Sequence, residues 1–156
     1  MQNSLKWCFK LKDGLKFVEP DELLYKSYLN ESKSSLNRAN KDFLDGDLLW
    51  SSVIIYYADY YVLYSFLVRL GVKCEYDFCS ILAVEKLLGE EKVRIINEHR
   101  IKRIDAQYYM KVGKDNELKE MLKESSLFVS NFEIFVSNLN NKDVEYYGKK
   151  LRSFLK

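Results

Sequence analysis

The stretch LLWSSVIIYYADYYVLYSFLV, Leu48 to Val68, carries one formal charge and is long enough to cross a bilayer. Two features argue against a membrane span. Asp59 falls near its middle, where a carboxylate costs about 2.5–3.5 kcal/mol on insertion scales. Tyr56, Tyr57, Tyr60, Tyr61 and Tyr64 sit towards its centre, not at the interfaces that favour tyrosine. The stretch reads instead as the innermost helix of a bundle, apolar nearly all round because neighbours cover every face. No membrane partner is expected.

Working outward, the helix is bounded by Asp47, a capping residue, and by Gly71, which closes it at about Leu70. The preceding helix runs from about Glu22 to Leu44, begun by Pro20 and Asp21 and ended at Asp45-Gly46-Asp47. Its stripe at helical spacing is Leu24, Tyr28, Ser32, Leu36, Ala39 and Phe43. EYDFCSILAVEKLLG gives a short third helix ending at Gly89, and a fourth spans about Glu90 to Val112. The fifth, about Asn116 to Leu139, repeats apolar residues every three or four positions from Leu118 through Phe128 and Phe135. A last short helix, Val144 to Leu155, offers Tyr147, Leu151 and Phe154 to the bundle.

Residues 1–19 read differently. Trp7, Phe9 and Leu11 alternate with lysines, Asp13-Gly14 suits a two-residue turn, and Leu15 and Phe17 resume the phase. A short hairpin or an extended arm over the bundle is expected. The fold class is therefore all-α: one domain over 1–156, with an arm (1–19) and an up-and-down bundle of four to five helices (20–156).

Composition agrees. Six glycines and one proline leave little punctuation for an all-β chain, and the aromatics, 15% of residues, include 12 Tyr and 9 Phe. The 25 basic against 23 acidic residues give a net charge of +2, so any nucleic-acid contact must come from a local patch. Cys8, Cys74 and Cys79 form no framework. An odd count points to reduced thiols in a cytosol, with a local Cys74–Cys79 disulfide as the alternative. CEYDFC has the wrong spacing for a zinc knuckle and no second pair follows, so no metal and no cofactor is expected. The N-terminus lacks the basic-then-apolar pattern of a signal peptide, which makes the expected location cytoplasmic.

YLNESKSSLNRANKDFLDGD (28–47), SSVIIYYADYYVLYSFLVRLGVKCE (51–75) and RIDAQYY (103–109) together resemble the HEPN domain, in an archaeal and bacterial branch of uncharacterised members. LKFVEP (15–20), before the first helix, extends the resemblance over most of the chain. It implies an up-and-down helical bundle that commonly forms a homodimer. It also implies a small nucleotidyltransferase as partner protein, in a toxin–antitoxin-like or nucleotide-linked system. Some members are metal-independent RNases with an R-x4–6-H motif on a late helix. In that motif arginine stabilises charge growing on the phosphate, and histidine moves protons near neutral pH.

Two registers of that motif compete here. The family-aligned one starts at Arg103, but five residues later stands Tyr108, and Gln107 occupies the place of the usual Asp. Tyrosine, with a pKa near 10, is a poor proton shuttle at neutral pH. The literal R-x4-H, Arg94 to His99, lies about nine residues early, with apolar Ile95 after the arginine. Arg94 and His99 are thus the candidate catalytic pair of a degraded signature, and the reading leans against an enzyme.

His99, Arg100, Arg103 and Tyr108 are the candidates for contacting RNA or a nucleotide through the fourth helix. The competing expectation is a solvated His99 on a salt-bridged face, with Glu98–Lys102 a ready pair. Asp59, Tyr57, Tyr61 and Asp105 are read as structural or interface residues, Asp59 as a candidate partner for Arg103. The expected role is that of a HEPN partner protein. The alternatives are a non-catalytic dimeric interaction module and a metal-independent RNase.

Overall fold

The computed structural model describes residues 4–156. It is an all-α bundle with seven α-helices and one minimal sheet among the described residues. The helices are α1 (Leu5–Lys10), α2 (Glu22–Leu44), α3 (Leu48–Leu70), α4 (Asp77–Leu88), α5 (Arg94–Tyr109), α6 (Asp115–Ser137) and α7 (Asn141–Ser153). Strands β1 (Lys16–Phe17) and β2 (Val72–Lys73) pair antiparallel.

α3 is the centre, packed against α2, α4, α5, α6 and α7. It is long and apolar enough to cross a membrane, yet 72% of its most apolar window is buried inside the bundle. Its ends obey the local signals. Asp47 accepts a hydrogen bond from Trp50 N–H at 3.2 Å, and Gly71 takes the left-handed conformation, φ +81°, that stops the helix. α2 is capped the same way, Asp21 accepting from Leu24 N–H at 2.9 Å.

The α2–α3 seam is built on small residues. Ser32 donates to the Ala58 carbonyl at 2.6 Å and Ser51 to the Ala39 carbonyl at 2.9 Å, which requires close helix approach. This shifts the predicted stripe. The buried α2 positions are Tyr25, Leu29, Ser32, Ser35 and Ala39, whereas Leu24 is exposed. Arg69 ties the end of α3 to α2 and to the α6–α7 loop, donating to Tyr25 Oη and to the Leu139 carbonyl, each at 2.6 Å.

The N-terminal arm departs from the alternation read in sequence. Leu5–Lys10 is helical, capped by Ser4, because Leu5 and Cys8 bury on one face at helical spacing. Among the described residues of the arm the one strand is Lys16–Phe17, and its partner is Val72–Lys73 after Gly71, not the preceding residues. The cysteine reading is also corrected. Cys8 and Cys79 form a disulfide that fastens α1 to α4, and Cys74 is the free, buried thiol. Pairing across 71 residues is a product of tertiary contact and leaves no mark in local spacing.

The predicted fourth helix opens as a 3-10 turn, Glu90–Val93, and ends earlier than Val112, at Tyr109. Met110 adopts a left-handed conformation there, φ 55°, and the Asp105 carbonyl accepts the N–H groups that follow.

Candidate functional site

Two polar clusters lie between α3 and α5, one deep and one near the surface. The deep cluster centres on Asp59, in mid-α3 and fully buried. Its Oδ2 meets His99 Nδ1 of α5 at 2.5 Å, and its Oδ1 accepts a hydrogen bond from Ser125 of α6, also at 2.5 Å. His99 Nε2 faces Glu124 Oε1 at 3.4 Å. The solvated His99 of the sequence reading is corrected: it is 1% exposed. Asp59 pairs with it, not with Arg103.

Burial pushes the Asp59 carboxyl up, and the hydrogen bonds from His99 and Ser125 offset this only in part, so it stays above its ordinary value. Burial would also lower the His99 imidazole, but the Asp59 and Glu124 carboxylates outweigh it and hold the pKa above its ordinary value. His99 thus lies between Asp59 and Glu124, one ring nitrogen facing each, with its proton affinity raised by both. Such a group knits α3, α5 and α6 together and has no open face for a substrate.

The second cluster centres on Asp77, the first residue of α4. Its Oδ2 accepts from Tyr56 Oη at 2.7 Å and from Arg100 Nε at 3.3 Å, with Arg103 Nη2 3.7 Å away. Burial alone would raise this carboxyl, but Tyr56, Arg100 and the Phe78 N–H together lower it. Tyr56 is held well above its ordinary pKa by burial and by Asp77, so it stays a neutral donor. Two guanidinium groups therefore share one carboxylate, leaving a net positive patch.

Arg103 is the best-placed member. Its guanidinium lies 4.8 Å from the Tyr56 ring centroid and 5.8 Å from that of Tyr57, and Nη1 donates to Gln107 Oε1 at 3.2 Å. Its Nε is buried without a hydrogen-bond partner. Tyr57 beside it is half-buried, as is Tyr61, whose ring is 6.1 Å from that of Tyr57, and Tyr28 lies tilted against Tyr61 at 5.8 Å. A half-buried tyrosine face flanked by arginines presents π-surfaces and donors to a planar or phosphorylated ligand.

The remaining candidates are not gathered here. Arg94 is exposed and bound to Glu91 and Glu98, each at 3.1 Å, while His99 points inward, so the literal R-x4-H pair is split between surface and core. Glu98 is thereby taken from Lys102, which instead lies 3.5 Å from Glu117. Tyr108 is 66% exposed beside Tyr109 and Met110, and Asp105 acts through its backbone at the helix end. Asp77, Ser125 and Glu124 were missed in the sequence. The available signal was Asp59 itself, a lone carboxylate in an apolar helix that demands a partner. Among the described residues no group of three or more His, Cys, Asp or Glu is placed to hold a metal ion.

No protein-family model, curated protein or solved structure matches the chain.

Proposed function

We propose that the protein is a HEPN-type bundle that works as a homodimer, and that α5 contacts RNA or a nucleotide through Arg100 and Arg103. On this reading it is the partner of a small nucleotidyltransferase in a toxin–antitoxin-like or nucleotide-linked system. The observation that supports it best is the pair of arginines on one carboxylate, Asp77, with the Arg103 Nε unbonded against Tyr56 and Tyr57. One net positive charge, the part-exposed Arg100 guanidinium and flanking rings suit a phosphate joined to a base.

A second reading, a non-catalytic interaction module, draws on Tyr108, Tyr109 and Met110, which stand 66%, 67% and 72% exposed at the end of α5. The RNase reading is less well supported, because His99 is enclosed by Asp59 and Glu124.

The test is binding of a labelled single-stranded RNA and of ATP to wild type and Arg100→Ala, with sedimentation and RNA integrity in EDTA followed in parallel. The expected result is a dimer that binds one of the two, with affinity about fivefold lower in the variant and no cleavage. A protein that binds neither would remove the nucleotide reading and leave the interaction module. Cleavage lost in a folded His99→Gln would restore the RNase.

A further inference from the structure

A cavity of about 670 Å³ opens on the side of the bundle between α4, α5, α6 and α7, away from the Asp77 cluster. Its walls are apolar, with Leu87, Ile95, Phe128 and Phe132 among them, and its volume falls in the range of small-molecule sites. Leu127 and Tyr146, 65% and 59% exposed, also line it. Five charged side chains border it as well, a density that interface cores between protein copies avoid.

Their pairing is uneven. Arg94 is spent on Glu91 and Glu98, and Glu124 faces His99. Lys92 and Lys150 have no carboxylate partner among the described residues. Lys150 is half-buried and held in place by one bond to the Leu87 carbonyl at 2.9 Å, with its other two N–H groups uncommitted. The cavity thus joins apolar walls to two lysine ammonium groups that no carboxylate pairs, in a lining of three basic and two acidic side chains. We propose that it binds a small amphipathic carboxylate, the apolar tail against Leu87, Ile95, Phe128 and Phe132 and the headgroup at Lys150 and Lys92. This site is separate from the arginine face of α5 and does not rest on it.

The test is calorimetric titration of the full chain with decanoate, beside decanol and decyltrimethylammonium as neutral and cationic ligands with the same tail. Decanoate is expected to bind one to one with Kd on the order of 10–100 µM. The two controls should bind at least about tenfold more weakly, as the loss of a charge-assisted contact implies. Lys150→Met should weaken decanoate about fivefold and leave the controls unchanged. Lys92→Met, at an exposed turn without the backbone bond, should act in the same direction and keeps the test valid if Lys150→Met fails to fold. Absence of saturable decanoate binding to folded wild type would overturn the proposal. So would equal binding of all three ligands, or insensitivity to both lysine substitutions. If the lysine variants altered the association state and not ligand binding, a second copy would be the occupant and the proposal would fall.

Discussion

His99 and Asp59, 40 residues apart in the chain, meet in the interior with Nδ1 2.5 Å from Oδ2, both side chains essentially without solvent contact. A buried pair of this kind stabilises little over a well-packed apolar pair, but breaking it from one side is costly. His99→Ala should therefore lose about 3–5 kcal/mol, because it strands the Asp59 carboxylate. The double variant Asp59→Asn with His99→Gln should lose clearly less than the sum of its singles. Urea unfolding measures both, and a His99→Ala loss under about 1 kcal/mol would show that the pair contributes little.

The same pair sets a pH dependence. His99 has its folded-state pKa raised, so its contribution to stability is full below the ordinary value of about 6.5 and is lost as pH climbs through the raised one. Asp77, lowered in the fold, acts oppositely and loses its contribution only as pH falls below about 4. Between neutral and mildly alkaline pH the urea midpoint should drop in wild type and stay flatter in His99→Gln. Parallel curves for the two proteins would contradict this.

Arg103 and Arg100 share Asp77, yet they should not weigh equally. Arg103 is buried over two rings, whereas the Arg100 side chain is 30% exposed. Arg103→Ala should cost about 1–2 kcal/mol, and Arg103→Lys most of that, since ammonium keeps the charge but loses the planar stack. Arg100→Ala should stay under about 1 kcal/mol. Equal losses at the two positions would show that the ring contacts contribute nothing.

The Cys8–Cys79 bond should contribute about 4 kcal/mol on the loop-closure model, given its separation of 71 residues. Cys8→Ser, Cys79→Ser and the double variant should fall by similar amounts. Each should melt on the order of 10 °C lower than the oxidised protein. Reductant should lower the melting temperature of wild type but not of the double variant. Unchanged melting under reduction would count against this contribution.

Gly71 offers a backbone test. A Cβ there would sit 2.4 Å from the Val18 carbonyl oxygen, and the residue holds φ +81°. Gly71→Ala should cost at least about 1–2 kcal/mol from conformation alone, more with the clash. It should also loosen the β1–β2 ribbon, seen as faster amide exchange at Val18, which donates to the Gly71 carbonyl at 2.8 Å. A neutral substitution would mean that the arm is not held at this turn.

The long helices were legible because their ends carry chemistry in the sequence. Asp21, Asp47 and Gly71 mark boundaries that the structure repeats at Glu22, Leu48 and Leu70. The α5 interior was not legible. Ile96, His99, Arg103 and Ala106 bury at helical spacing, but two of the four are ionisable, so the stripe reads as a solvated face until the partners on α3, α4 and α6 are known. Those partners, Asp59, Asp77 and Glu124, come from separate helices and no local pattern links them. The arm misled for another reason. Asp13-Gly14 does turn the chain, with Leu15 N–H bonding the Cys8 carbonyl at 2.9 Å, but what precedes the turn is one helical coil and not a strand.

The disulfide also has a mechanical meaning. Because it joins residues 8 and 79, the whole α2–α3 hairpin lies inside a closed covalent ring. A pull on the two ends of the chain would travel through the sulfur bridge and bypass that hairpin. The segment after Cys79 could be drawn out while the hairpin stayed enclosed. The 71-residue separation would hide roughly 250 Å of contour until the bridge was cut. Under tension the oxidised molecule is α4 to α7 hung from a ring, and reduction would release the length held inside it.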